Sequence, residues 1–163
     1  MTKETIFQTI KESALDARKS QSKELASLLN TFLADLQNHI TGGLSAAVYG
    51  LYAPTDEQVI PFLVKTIQGL NKGISTASTS NNPSAQTYVD KTRLEVETLS
   101  LFLPKALEPE ELRMVIIKLI DEDTLLIGDK KLFGSIMSKI KEQYEGRYNP
   151  AKVRELFNSI TTV

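Results

Sequence analysis

Leu99-Ser-Leu-Phe-Leu-Pro-Lys-Ala-Leu-Glu-Pro-Glu-Glu-Leu112 decides how this chain is divided. Leu103 stands before Pro104, whose ring disfavours the α region for the preceding residue, so a helix entering this stretch is expected to stop there. Pro109 suits the first position of a new helix, where its missing N–H is not needed and its φ is already helical. Glu110 and Glu111 then place negative charge on the positive end of that helix's dipole. The stretch reads as a hinge between two helical domains, residues 1–103 and 104–163.

Upstream, Ile6, Phe7, Ile10, Ala14 and Ala17 recur at helical spacing and predict a first helix over about residues 3–19. Ser20 or Ser22 can cap the next one. Its stripe, Leu25, Leu28, Leu29, Phe32, Leu33, Leu36 and Ile40, covers fewer than three heptads, so packing within the domain is expected rather than a coiled coil. Gly42-Gly43 ends it. Thr55 and Gln58 have capping-box spacing at the head of a third pattern, Val59 to Ile74. Pro61 inside that pattern predicts a kink or a later start. Residues 75–86 are polar and loop-like, and Asn82-Pro83 opens a helix through Tyr88, Val96 and Leu103.

Downstream, Leu112, Val115, Ile116, Leu119 and Ile120 form a strong helical stripe. Asp129 is placed to cap the next helix, with Leu132, Phe133, Ile136, Met137, Ile140 and Tyr144 on its apolar face. Gly134 reads as close helix packing and Gly146 as a helix stop. Asn149-Pro150 starts a last helix with Val153, Leu156, Phe157 and Ile160 inward. No stretch alternates for long enough to compete as a strand. The predicted class is all-α, an N-terminal bundle followed by a smaller C-terminal three-helix domain.

The chain has no cysteine, which excludes disulfides, thiol nucleophiles and zinc–thiolate sites. His39 is the only histidine, so no site needing several imidazoles can form. Asp121-Glu122-Asp123 reads as a solvated acidic face, since no EF-hand spacing surrounds it. No phosphate-cradling loop or nucleophile elbow occurs. No catalytic residue, metal ligand or cofactor is therefore expected. No apolar run spans a membrane, and the opening Met-Thr-Lys-Glu-Thr-Ile-Phe has no secretory core, so a cytoplasmic protein without membrane attachment is expected.

Charge is nearly balanced, 19 basic against 20 acidic residues, which argues against a strongly basic nucleic-acid protein but not against a local patch. Its distribution is uneven. Residues 104–128 hold three basic and six acidic side chains, and residues 129–163 seven basic and four acidic. Lys130, Lys131, Lys139, Lys141, Arg147, Lys152 and Arg154 are thus candidate phosphate contacts. Tyr148, beside Arg147, is the candidate stacking residue, with Tyr144 assigned to the core. A solvated helix exterior would show the same charges.

The residues also resemble the GatB/YqeY family, small helical proteins related to the tail of the B subunit of glutamyl/aspartyl-tRNA amidotransferase. The resemblance is carried by Phe102-Leu103-Pro104-x-x-Leu107 with Glu111-Leu112, and by Phe133-Gly134-x-Ile136-Met137 leading to Tyr144-x-Gly146-Arg147. Asp16-Ala17-Arg18-Lys19 and residues 54–60 agree more weakly. The resemblance implies two helical domains joined near Pro104 and a link to tRNA, with amide-transfer chemistry located in parts this chain lacks. The chain departs from the family pattern in the uncharged Leu28-Leu29-Asn30, in Pro61, and in Glu108 where Ser or Thr usually caps.

Three readings follow. The first is a non-catalytic module binding tRNA or other structured RNA through the C-terminal residues above. The second is a helical adaptor docking a protein through the uncharged stretch Leu44–Ala53, with Tyr49, Leu51 and Tyr52 as anchors. The third is a non-catalytic partner in an amidotransferase-like complex.

Overall fold

The apolar periodicity becomes seven helices among the described residues, with no strand: α1 (Ile6–Lys19), α2 (Lys23–Thr41), α3 (Asp56–Ala77), α4 (Pro83–Ser100), α5 (Pro109–Asp121), α6 (Leu132–Tyr144) and α7 (Pro150–Thr161). The structure, a computed structural model, describes residues 4–42 and 53–162. The fold is all-α. It separates into two compact units, Met1–Leu103 and Pro104–Val163.

In the first unit, α1 packs on α2 and α3 on α4, and α3 also touches both α1 and α2. Ile10, Ala14, Leu29, Phe32, Leu36, Val59, Leu63 and Leu99 form its core. The stripe of α2 is consumed here, although Leu25 lies at its exposed edge. Two N-termini are tied together by one carboxylate. Thr5 and Gln8 close a capping box on α1, which leaves the Ile6 amide over, and that amide donates to Asp56 Oδ1 at 2.8 Å. Thr55 and Gln58 close the expected box on α3.

Several local expectations change. Ser22 occupies the N-cap position of α2 without a side-chain cap bond. Pro61 lies inside α3 and does not move its start; the carbonyl it leaves over belongs to exposed Glu57, where water can serve it. The polar loop is shorter than expected because α3 continues to Ala77 and α4 begins at Pro83. Hydroxyls make this possible: Thr76 Oγ1 donates to the Lys72 carbonyl at 3.0 Å and Ser78 Oγ to the Ile74 carbonyl at 2.7 Å, so these side chains follow the helix instead of competing with it. At its far end α4 stops at Ser100, and Leu101, Phe102 and Leu103 follow in turns bonded back to Thr98, Leu99 and Ser100. Of the stretch 44–53, only Ala53 is among the described residues.

In the second unit, α5 packs on α6 and α7. Leu112, Ile116, Leu119, Leu132, Ile136, Ile140 and Val153 are buried between them. Phe133 and Phe157 meet edge to face, with ring centroids 5.1 Å apart. Glu108 takes the N-cap position of α5, and its amide donates to Glu111 at 3.0 Å, so the Ser or Thr usual there is not needed.

Asp129 does not cap α6. It accepts from the Lys131 amide at 2.8 Å, two residues ahead of the N-cap position, which Lys131 itself occupies. Gly134 is not a packing glycine either: it is exposed, and a Cβ built on it meets nothing within 4 Å. Gly146, with φ 76°, is the helix stop expected of it.

Candidate nucleic-acid interface

The basic residues of the second unit divide by what already holds them. Lys139 is committed to structure. Its ammonium lies 2.9 Å from Asp123 Oδ2, which also accepts from Ser135 Oγ at 2.6 Å, while Asp123 Oδ1 accepts from the Leu125 amide at 3.0 Å. The Asp123 side chain is only 5% exposed. The hydrogen bonds from Ser135, Lys139 and Leu125 hold its carboxyl far below the usual carboxylate range. Asp121 and Glu122 are exposed as a solvated acidic face requires, but Asp123 has left that face to anchor the α5–α6 turn to α6.

Arg147 is engaged as well. Its Nε donates to the Lys105 carbonyl at 3.0 Å, its own carbonyl accepts from the Leu107 amide at 2.7 Å, and its guanidinium lies 6.0 Å from the Tyr144 ring centroid. Within the second unit, Leu107 of the first family motif and Arg147 of the Tyr144-x-Gly146-Arg147 motif therefore meet at this point. Lys152 sits 3.1 Å from both carboxylate oxygens of Glu155 on α7. The exposed Arg154 guanidinium lies 5.4 Å from the centre of the Phe133 ring, bracing α7 on α6.

Lys130, Lys131 and Lys141 are exposed and make no salt bridge among the described residues. Lys130 and Lys131 precede α6 and Lys141 lies in its last turn, so about 15 Å of helix separates Lys131 from Lys141. These three are the uncommitted cations of the eight-residue candidate set. Tyr148 is half-buried and packs on the core alongside Tyr144, so the contrast expected between the two tyrosines is absent. Burial, helped by the Glu145 charge, raises the Tyr148 phenol above its ordinary pKa.

Two residues were not singled out by charge or periodicity. Leu126 and Ile127, 81% and 60% exposed, stand at the tip of the turn before α6 while Leu125 packs inward. The signal was the run Leu125-Leu126-Ile127 against Gly128-Asp129: a tight turn buries one of three consecutive aliphatics, not all of them.

The remaining surface offers less chemistry. In the first unit an open groove of about 680 Å³ between α2, α3 and α4 is lined by Leu25, Leu28, Leu70 and Leu94, with charged residues at its margins. His39 is exposed and lies against Phe62, ring centroids 5.0 Å apart. Among the described residues no group of three His, Asp or Glu side chains is placed to hold a metal ion, and no helix is long and apolar enough to cross a membrane.

Comparison with known proteins adds one finding. A family model for Yqey-like proteins matches residues 7–160, nearly the whole chain. The chain belongs to the YqeY-like family. No curated protein matches it. In this YqeY-like chain, Leu103 and Phe102 of the hinge motif pack on the core of the first unit and Leu107 on that of the second, so the motif straddles the division.

Proposed function

We propose that this YqeY-like protein is a non-catalytic RNA-binding accessory module, with tRNA as the first candidate among structured RNAs and the second unit as its contact surface. The observation that carries this reading is the placing of Lys130, Lys131 and Lys141: exposed, unpaired among the described residues, and grouped at the two ends of one helix. Unpaired lysines on a fixed scaffold neutralise phosphates without first breaking an ion pair, and each neutralised phosphate releases condensed counterions. Lys152, whose surface pair is worth little, and Arg154 extend the cationic surface onto α7. Lys139 and Arg147 support the scaffold instead of the ligand. The residues from 129 onward carry seven basic and four acidic side chains, which supports the same assignment. A relation to the amidotransferase tail would make the chain a partner in tRNA handling inside the cytoplasm, with chemistry supplied elsewhere.

Fluorescence anisotropy with labelled tRNA over a salt series tests this. The logarithm of the binding constant should fall linearly with the logarithm of salt, with a slope of about −0.7 to −0.9 per phosphate contacted. Replacing Lys130, Lys131 and Lys141 together by Ala should make that slope shallower by about 2 to 3. Absence of binding at low salt, or a flat salt dependence, overturns the proposal.

A further inference from the structure

The turn between α5 and α6 presents Leu126 and Ile127 to solvent from a braced position. Asp123 fixes one side of it through Ser135, Lys139 and the Leu125 amide. On the other side the Asp129 amide donates to the Leu126 carbonyl at 3.0 Å, Asp129 Oδ1 accepts from the Lys131 amide, and the Leu132 amide donates to the Asp129 carbonyl at 3.1 Å. Gly128, with φ 102°, supplies the left-handed conformation the reversal needs. The two exposed aliphatics are therefore held by a hydrogen-bonded frame, and a held contact loses little conformational entropy on binding.

Lys130 and Lys131 follow immediately. The acids around them are largely occupied: Asp123 by Lys139 and Ser135, Asp129 by a backbone amide, and Glu122 lies 3.8 Å from Lys118. An apolar tip beside two free ammonium groups matches a surface that is flat and apolar at one point and anionic around it. The face of an unstacked base or of the last pair in a helical stack, with phosphates on either side, is such a surface; a continuous duplex shows polar groove edges and no base face. Aliphatic side chains such as Leu and Ile pack directly on base faces where stacking is interrupted.

Resting on the RNA-binding reading above, we infer that Leu126 and Ile127 form an apolar contact for an exposed base face, with Lys130 and Lys131 holding the adjacent phosphates. Structured RNA with interrupted stacking is then preferred over uniform duplex. Leu126 and Ile127, and not Tyr148, select the ligand.

The test compares wild type, the double variant Leu126→Ala/Ile127→Ala and the double variant Lys130→Ala/Lys131→Ala, each binding an unfractionated tRNA mixture and a long, loop-free RNA duplex whose two end pairs are a small fraction of its sites. Both aliphatics are exposed, so near-wild-type thermal unfolding by circular dichroism verifies the fold of that variant. The aliphatic variant should bind tRNA about tenfold more weakly with its salt slope unchanged, and bind duplex as wild type does. The lysine variant should bind both more weakly, with a slope shallower by about 1.4 to 1.8. Unchanged tRNA affinity in the aliphatic variant, including the case where it instead loses a protein partner, overturns this inference and leaves the RNA reading standing. Failure of wild type to bind either RNA overturns the RNA reading itself.

Discussion

The amide of Leu107 donates to the carbonyl of Arg147 at 2.7 Å, and Arg147 answers through Nε, which donates to the Lys105 carbonyl at 3.0 Å. The chain entering the second unit is thereby fastened to the turn between α6 and α7. An arginine that composition assigns to phosphates is occupied with backbone.

Arg147→Ala removes the Nε bond and the contact over Tyr144 but keeps the Leu107 bond, which any residue at 147 supplies. The second unit should lose about 0.5–1.5 kcal/mol, read as a lower urea midpoint with an unchanged m-value. Binding losses in this variant then need correction for stability before they are assigned to RNA.

Asp123→Asn should destabilise the second unit at neutral pH, because the Lys139 ammonium loses the charge it neutralises and the α5–α6 turn loses its anchor. The sign with pH is fixed by the lowered carboxyl. The folded state holds the proton less tightly than the unfolded chain, so the contribution is complete above the unfolded value of about 3.9 and is lost as the pH falls toward the folded one. Urea unfolding at pH 7 and pH 3 should show the gap between wild type and Asp123→Asn narrowing in acid.

Gly134→Ala and Gly146→Ala should act in opposite directions. At 134 the helix is open and exposed, and Ala restricts the unfolded chain, so a gain of about 0.5–1 kcal/mol is expected. At 146 the backbone has φ 76°, where a Cβ is strained, and a loss of about 1 kcal/mol is expected. Thermal midpoints of the two variants measure both.

Gly73→Ala places a Cβ 2.6 Å from the Tyr88 hydroxyl oxygen. Tyr88 is half exposed and its tip can turn away, so the strain should be modest. Tyr88→Phe removes the clashing oxygen, and Gly73→Ala in that background should be better tolerated by about 0.5–1 kcal/mol. A double-mutant cycle by urea unfolding reads this coupling.

The fold was legible where local chemistry and periodicity agree. The α5 stripe, Pro109, the Thr55–Gln58 box and Gly42 at φ 60° are all places where short-range rules decide. Thr76 and Ser78 misled because hydroxyl residues break helices only when they bond elsewhere, and here they bond to the preceding turn. Asp123 was hidden in an acidic run because its partners stand 12 and 16 residues away. The charge surplus after residue 128 was visible, but counting charges does not separate Lys139, held by Asp123, from Lys141, which is not. Leu126 and Ile127 escaped for a related reason: periodicity finds aliphatics that share a face, and these two share none.

The bond from the Ile6 amide to Asp56 bears on how the chain is made. The acceptor lies 50 positions downstream of its donor. A nascent polypeptide that has emerged only as far as Gly42 carries the whole of α1 and α2 but not the acceptor of the Ile6 amide. The Ile6 amide is without that acceptor until synthesis has delivered Asp56 outside the ribosome. Amide exchange at Ile6 is thus a clock for the arrival of α3: fast in a fragment ending at residue 42, slow in the finished chain.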